Sequence, residues 1–250
     1  MTRHARPLLL TVDRGNTSLD VMLHSAPVKR WRAPAHAPET VLAEVATLAG
    51  VPVRAVASTV VAGGLTALEA VLADAGVRLE VAGRDLPCPL PLAYADPNEL
   101  GTDRWLAALA AFAAHGAAVV VQCGTAITAD AVDASGRFLG GAIAPGLRAM
   151  AAGLAAAAPA LPPFAGGDAI AVPATSSRAC VDAGVHFAFC GAVERLVEDV
   201  ARALPGGAPR LLTGGDARAY LRHGRLSFVH VPDLVHQGLR CLAERCAPRS

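Results

Sequence analysis

Two stretches of the chain share one pattern of apolar and polar positions. Residues 8–23, LLLTVDRGNTSLDVML, run an apolar segment into Asp13-Arg14-Gly15-Asn16-Thr17 and then into a second apolar segment. Residues 118–133, AVVVQCGTAITADAVD, do the same around Gln122-Cys123-Gly124-Thr125. Each predicts a strand, a tight glycine turn and a returning strand. Each turn offers backbone N–H groups and a threonine hydroxyl, a donor set suited to phosphate. Their separation by about half the chain predicts a duplicated nucleotide-binding core with a cleft between the halves.

Between and after the hairpins the pattern alternates between strand and helix signals. Residues 29–38, with Lys29, Arg30, Arg32 and two prolines, read as a loop. Thr40 to Ala49 predicts a helix with Thr40 as N-cap and Gly50 as stop. Val53 to Val61 predicts a strand, and Leu65 to Ala75 a helix opened by Gly63-Gly64. A proline-rich link, 87–97, leads to an Ala/Leu helix ending near Gly116. In the second half, helices are expected at 147–157 and 176–203, with a Pro/Gly loop between them. Gly184 and Gly191 in the long helix would admit a close helix neighbour. Pro209 to Leu212 predicts a strand that ends in Thr213-Gly214-Gly215-Asp216 before another helix. The order argues an α/β fold of two related halves, 1–115 and 116–250.

Composition narrows the function classes. The 250 residues are 53% hydrophobic and 17% charged, enough for a large core. A formal net charge of +1 gives no electrostatic footprint for nucleic acid. Lys29 is the only lysine and no glycine run precedes it, which excludes a G-x-x-x-x-G-K-[ST] phosphate loop. Six scattered cysteines without C-x-x-C spacing favour reduced thiols over a disulfide framework or a zinc site. The apolar start is cut short by Asp13 and Arg14, and the segment around 105–121 is short for a membrane span. The expectation is a soluble cytoplasmic protein with no membrane or nucleic-acid partner.

Three positions carry candidate chemistry. Asp13, at a strand end beside a phosphate-type turn, is placed to hold Mg²⁺ through water, although the same residues would also serve a plain hairpin. Asp103 and Arg104 open a helix, where Asp caps on its own account. In the functional reading Asp103 accepts a hydroxyl proton and Arg104 grips an anionic substrate. Thr213-Gly214-Gly215-Asp216 offers a base or ribose contact, or simply a turn before a helix. Cys123 has no His or Asp companion in the sequence and reads as a packing residue.

In chain order, Asp13-x-Gly15-Asn16-Thr17, Tyr94-x-x-Pro97-x-x-Leu100-Gly101-x-Asp103-Arg104-Trp105, Gly124-Thr125-Ala126-x-Thr128, Gly136-x-Phe138-x-Gly140-Gly141, Pro145-Gly146 and Thr213-Gly214-Gly215-Asp216-Ala217 together resemble the type III pantothenate kinases, in the actin-like and sugar-kinase superfamily. The resemblance implies duplicated ribonuclease-H-like halves, ATP and Mg²⁺ as cofactors, pantothenate as substrate and a homodimer. It implies that Asp103 is the general base and that Asp13, Gly15, Asn16, Thr17, Gly124, Thr125, Gly214 and Gly215 contact ATP. It puts Tyr94, Gly101, Thr102 and Arg104 at pantothenate. A hydroxyl from the partner would come from Ser177 or the nearby Thr175. Two positions depart from the family: Gln122 stands where a carboxylate ligates K⁺ or NH₄⁺, and Asp20 stands where a basic residue is frequent. These departures keep open a non-catalytic nucleotide-binding regulator of the same fold; another sugar or acid kinase has no reason to carry Tyr94 with Gly101-Thr102-Asp103-Arg104.

Overall fold

The computed structural model describes residues 7–167 and 170–246, which form two compact units. The first holds the described residues through Leu90, Ala95–Ala113 and those from Leu234 onward; the second holds Pro91–Tyr94 and Ala114–Asp233. The sequence reading divided the chain once, at 115/116. The inclusion of the C-terminal segment in the first unit has no counterpart in the local pattern.

In the first unit β1 (Leu8–Arg14), β2 (Ser18–His24), β3 (Lys29–Pro34), β4 (Val53–Thr59) and β5 (Leu79–Val81) form one sheet in the order β3-β2-β1-β4-β5. β1 is antiparallel to β2 and parallel to β4. Strand alternation sorts the side chains by face. Leu10, Val12, Leu19, Val21, Ala55 and Ala57 pack on one face against Val41 and Val45 of α1 (Glu39–Ala46) and Leu68 and Leu72 of α2 (Thr66–Asp74). Thr11, Asp13, Asp20 and Ser58 therefore share the opposite face. There α7 (Leu234–Arg245) packs on β1 and β4. The unit also contains the start of α3 (Thr102–His115), whose first turn bears Asp103.

The second unit repeats the plan. β6 (Ala118–Cys123), β7 (Ala126–Val132), β8 (Phe138–Pro145), β9 (Arg210–Thr213) and β10 (Val229–His230) form a sheet in the order β10-β9-β6-β7-β8. Numbered within its own unit, each sheet reads 3-2-1-4-5 with the same strand directions. This is the ribonuclease-H-like order, present twice. The core face is covered by α4 (Leu147–Ala157), α5 (Ser177–Ala201) and α6 (Ala217–His223). Val181, Val185, Phe189, Val193 and Val197 of α5 recur every fourth residue and are buried, a stripe that faces the sheet.

Several expectations change. Residues 29–34, read as a loop, form β3: Arg32 lies opposite Asp20, and Arg30 also pairs with Asp20, so cross-strand charge stabilises an edge strand of low intrinsic propensity. Pro38, without a side-chain cap, stands at the N-cap of α1 in place of Thr40. β5, β8, β10 and α7 were not indicated by local pattern. Cβ atoms built on Gly184 or Gly191 meet nothing within 4 Å, so among the described residues no helix makes the expected close contact there.

Candidate functional site

The first hairpin assembles a charged cluster. Asp13 and Asp20 are Cα partners across β1 and β2, and Ser58 is the partner of Asp13 on β4. Burial raises the Asp13 carboxyl to about 6; His236 opposes the rise, and the carboxylates of Asp103 and Asp20 add to it. Asp20 goes the other way. Burial alone would raise it, but the two hydrogen bonds from Arg30 and the His236 imidazole, 3.4 Å away, outweigh this and hold it at about 2. Arg30 grips it with two bonds, Nε at 2.9 Å and Nη2 at 2.6 Å. Asp20 is thus compensated within the protein, by Arg30 of β3 and by the imidazole of His236 on α7.

Asp103 reaches this cluster because α3 is pinned at its first residue. The Thr102 hydroxyl lies 2.9 Å from Ser58 Oγ and donates to the Thr59 carbonyl at 3.0 Å. Thr102 was expected at substrate, but its hydroxyl is committed to β4. Asp103 Oδ1 accepts from the Arg104 backbone N–H at 2.9 Å, which leaves Oδ2 for another proton. Burial raises its pKa against the opposing Arg104 contacts. A Cβ on Gly101 would lie 2.8 Å from Asp103 Oδ1, so glycine there leaves the carboxylate its place. Arg104, expected to reach an anionic substrate, is buried.

In the second unit the equivalent positions are neutral. Gln122 is paired in register with Thr128 on β7 and Thr213 on β9. Gln122 Nε2 and Thr128 Oγ1 are buried without hydrogen-bond partners, an amide donor and a hydroxyl both left open. The turn beyond them is packed by backbone. A Cβ on Gly146 would lie 2.1 Å from the Gly124 carbonyl, and one on Gly214, at φ +99°, would lie 2.2 Å from that of Cys123. Asp216 N–H donates to the Cys123 carbonyl at 2.9 Å, which brings the Thr213-Gly214-Gly215-Asp216 turn against the hairpin. Burial pushes the Cys123 thiol up to about 12, consistent with packing rather than reactivity.

Neither turn glycine is demanded by the chain. Gly15 and Gly124 lie outside the left-handed region, and a Cβ on either would have its nearest neighbour at 3.9 or 3.8 Å. Asn16, Thr17 and Thr125 are exposed at the same turns.

The remaining candidates also lie in the second unit. Tyr94 stacks at a tilt on Phe138, with ring centroids 5.9 Å apart, and its ring borders Gly140. Thr175 and Ser177 are exposed at the start of α5, where Ser176 is the N-cap. They line an open, mostly apolar cavity of about 690 Å³ with Met150, Leu154, Cys180 and Gly184. His236 was missed by sequence reading. A lone histidine in a C-terminal helix carries no local signal; only its burial beside Asp20 marks it.

Residues 9–199 match the family model described as type III pantothenate kinase. Relatives of that same name include one from Halorhodospira halophila, 42% identical over 147 residues, which covers 58% of this chain and 58% of that one. One from Alcanivorax borkumensis is 34% identical over 152 residues, covering 61% and 62% of the two chains. One from Anaeromyxobacter dehalogenans is 31% identical over 253 residues, covering 95% and 99%. For the Alcanivorax and Chromohalobacter relatives the chain spans only 62% and 55% of their length. Among solved structures, a Baf family protein from Campylobacter jejuni aligns with TM-score 0.62 at 18% identity, covering 94% of this chain and 98% of that one. The ethanolamine utilization protein EutJ from Carboxydothermus hydrogenoformans aligns with TM-score 0.52 at 15% identity, covering 96% and 92%. At these identities the likeness shows the fold alone.

Proposed function

We infer the activity from the family: this chain belongs to the type III pantothenate kinases, and the reaction its geometry supports best is ATP-dependent phosphorylation of pantothenate to 4'-phosphopantothenate, the first step of coenzyme A synthesis. The observation that carries the reading is Asp103, a carboxylate of raised pKa beside Asp13, with one oxygen tied to backbone and the other open.

Asp103 Oδ2 takes the proton of the primary hydroxyl as the hydroxyl attacks phosphorus. A carboxylate raised above its ordinary range is the stronger base for that step. In this reading backbone N–H groups of the two hairpin turns meet phosphate oxygens, although those of Gly15 and Gly124 bond within their own hairpins, and the unpaired Gln122 Nε2 and Thr128 Oγ1 extend the donor set. Gly214 and Gly215 border the nucleotide. Mg²⁺, when bound, supplies charge neutralisation to the transferring phosphoryl group. Asp13, at the end of its strand, is the carboxylate that would hold it through water.

A monovalent cation fits less well. Gln122 presents an unpaired amide donor where a carboxylate would attract K⁺ or NH₄⁺, and Thr128 and Thr213 beside it carry no charge. The enzyme works without such activation.

The family resemblance supports Tyr94, Gly101 and the buried Arg104 as the residues proposed for pantothenate, with a hydroxyl of Ser177 or Thr175 supplied by the partner in a proposed homodimer. The open faces of Gly184 and Gly191 on α5 support that interface. We take the repeated halves to divide near 115/116, except that α7 packs with the first. No helix among the described residues is long and apolar enough to cross a membrane; a cytoplasmic location is proposed with the activity. The test is ADP release measured with and without pantothenate, with the phosphorylated product identified by mass. Pantothenate-dependent release is expected; release indifferent to pantothenate overturns the assignment.

A further inference from the structure

α7 lies outside residues 9–199, the span of the family match, yet it touches both elements that carry the reactive carboxylates. On one side is His236, 2% exposed, with Nδ1 2.8 Å from the Thr11 hydroxyl and Nε2 3.4 Å from Asp20 Oδ1. Thr11 precedes Asp13 by two residues on the same strand face, and Asp20 is the cross-strand partner of Asp13. The imidazole therefore spans the two strands of the Asp13 hairpin just behind its turn.

On the other side is Gly238. A Cβ there would lie 2.1 Å from the Leu106 carbonyl oxygen and 3.0 Å from its Cα, so α7 and α3 meet backbone to backbone. Leu106 is three residues beyond Asp103, within the same turn of helix. Residues two apart on a helix point about 200° apart at 3.6 residues per turn, so His236 and Gly238 address opposite neighbours. Farther along, Arg54 Nη1 donates to the Ala243 carbonyl at 2.7 Å and ties the end of α7 to β4. The helix is a filler of fixed thickness between the strand that carries Asp13 near its end and the helix that bears Asp103 in its first turn.

We propose that α7 sets the separation of Asp13 and Asp103, with His236 as a positioning residue for phosphoryl transfer. The proposal rests on the kinase reading above. His236 has both ring nitrogens turned to protein groups, so it acts through Asp20 and Thr11 and touches no substrate. A displacement of about 1 Å between reacting groups costs on the order of 10²-fold in rate.

The variants are His236→Leu, which keeps volume and removes both polar contacts, His236→Asn, which keeps a group near the Nδ1 position for Thr11, and Gly238→Ala, which pushes α7 off α3. For His236→Leu and Gly238→Ala, kcat is expected to fall about 10²-fold with KM for pantothenate within about twofold, and His236→Asn to recover part of the loss. A second readout is independent of the acceptor: Mn²⁺ affinity in the presence of a non-hydrolysable ATP analogue, followed by electron paramagnetic resonance. It should weaken in His236→Leu and be partly restored in His236→Asn. Should His236→Leu fail to fold, Gly238→Ala and His236→Asn carry the comparison. Folded variants with kcat and Mn²⁺ affinity within twofold of wild type overturn the proposal. If the wild type does not phosphorylate pantothenate, the kinase reading fails, and the Mn²⁺ series still decides the role of α7.

Discussion

Asp13 and Asp20 face each other across β1 and β2, yet their carboxyl groups are driven apart, Asp13 up to about 6 and Asp20 down to about 2. Asp20 has Arg30 and His236 as partners, whereas half-buried Asp13 is desolvated near the carboxylates of Asp103 and Asp20, with His236 only partly opposing them. The pair is thus asymmetric: the Asp20 charge is compensated inside the fold, and that of Asp13 is not.

This relation sets the pH dependence of stability. The folded Asp13 keeps its proton up to about pH 6, whereas the unfolded residue loses it near 3.8. Its contribution is thus fully favourable below 3.8 and is lost as pH rises through 6. Asp13→Asn should therefore raise stability by about 1–3 kcal/mol above pH 7 and change little at pH 4, while abolishing transfer. Denaturant melts of both proteins at the two pH values, without metal, check it; equal stability at pH 7 would contradict the assigned environment.

For Asp20 the sign reverses. Its stabilisation is complete above 3.8 and disappears as pH falls toward 2. Asp20→Asn should destabilise the protein at pH 7 by about 1–3 kcal/mol, leaving Arg30 without its carboxylate. A melt no lower than wild type at pH 7 would show that the ion pairs contribute nothing.

Asp103→Asn should retain fold and ATP affinity and lose about 10²–10⁴-fold in rate, the usual worth of a general base. Single-turnover rates with saturating ATP measure it. Near-normal turnover would leave Asp103 as a helix-end residue only.

Gly15→Ala and Gly124→Ala have room for the added methyl within the chain. Their melting temperatures should match wild type, while KM for ATP rises about tenfold, one hydrogen bond's worth of about 1.4 kcal/mol. Unchanged KM in both would mean that no phosphate approaches those turns.

Gln122→Asp should gain activation by K⁺, because a carboxylate adds the Coulomb attraction that the amide lacks. Initial rates against K⁺ at fixed ionic strength compare the two proteins. Steep K⁺ activation of the wild type would show that the amide is no obstacle to the cation.

The strand–turn–strand devices, the position of α4 and the span of α5 were all legible in the sequence, because each is specified by local periodicity and by its own turn residues. The two hairpins could be matched to each other because burial of one strand face imposes the same alternation twice. Site candidates such as Asp13 and Asp103 were legible for a related reason: a carboxylate at the end of an apolar strand or at the start of an apolar helix stands out against its neighbours. What distance along the chain conceals is pairing. β3 looks like a basic loop until Asp20 is placed opposite Arg32, and Asp20 looks like a stray charge until Arg30 and His236 close around it. The neutral set of Gln122, Thr128 and Thr213 exists only once β7 and β9 flank β6. Sequence by itself determined the repeated α/β plan and the residue types at the turns, since backbone dihedrals and side-chain alternation are local. Tertiary structure alone decided which carboxylate is neutralised, which donors are left open and which helix spaces Asp13 from Asp103, since electrostatics and packing act through space between residues as far apart as Thr11 and His236.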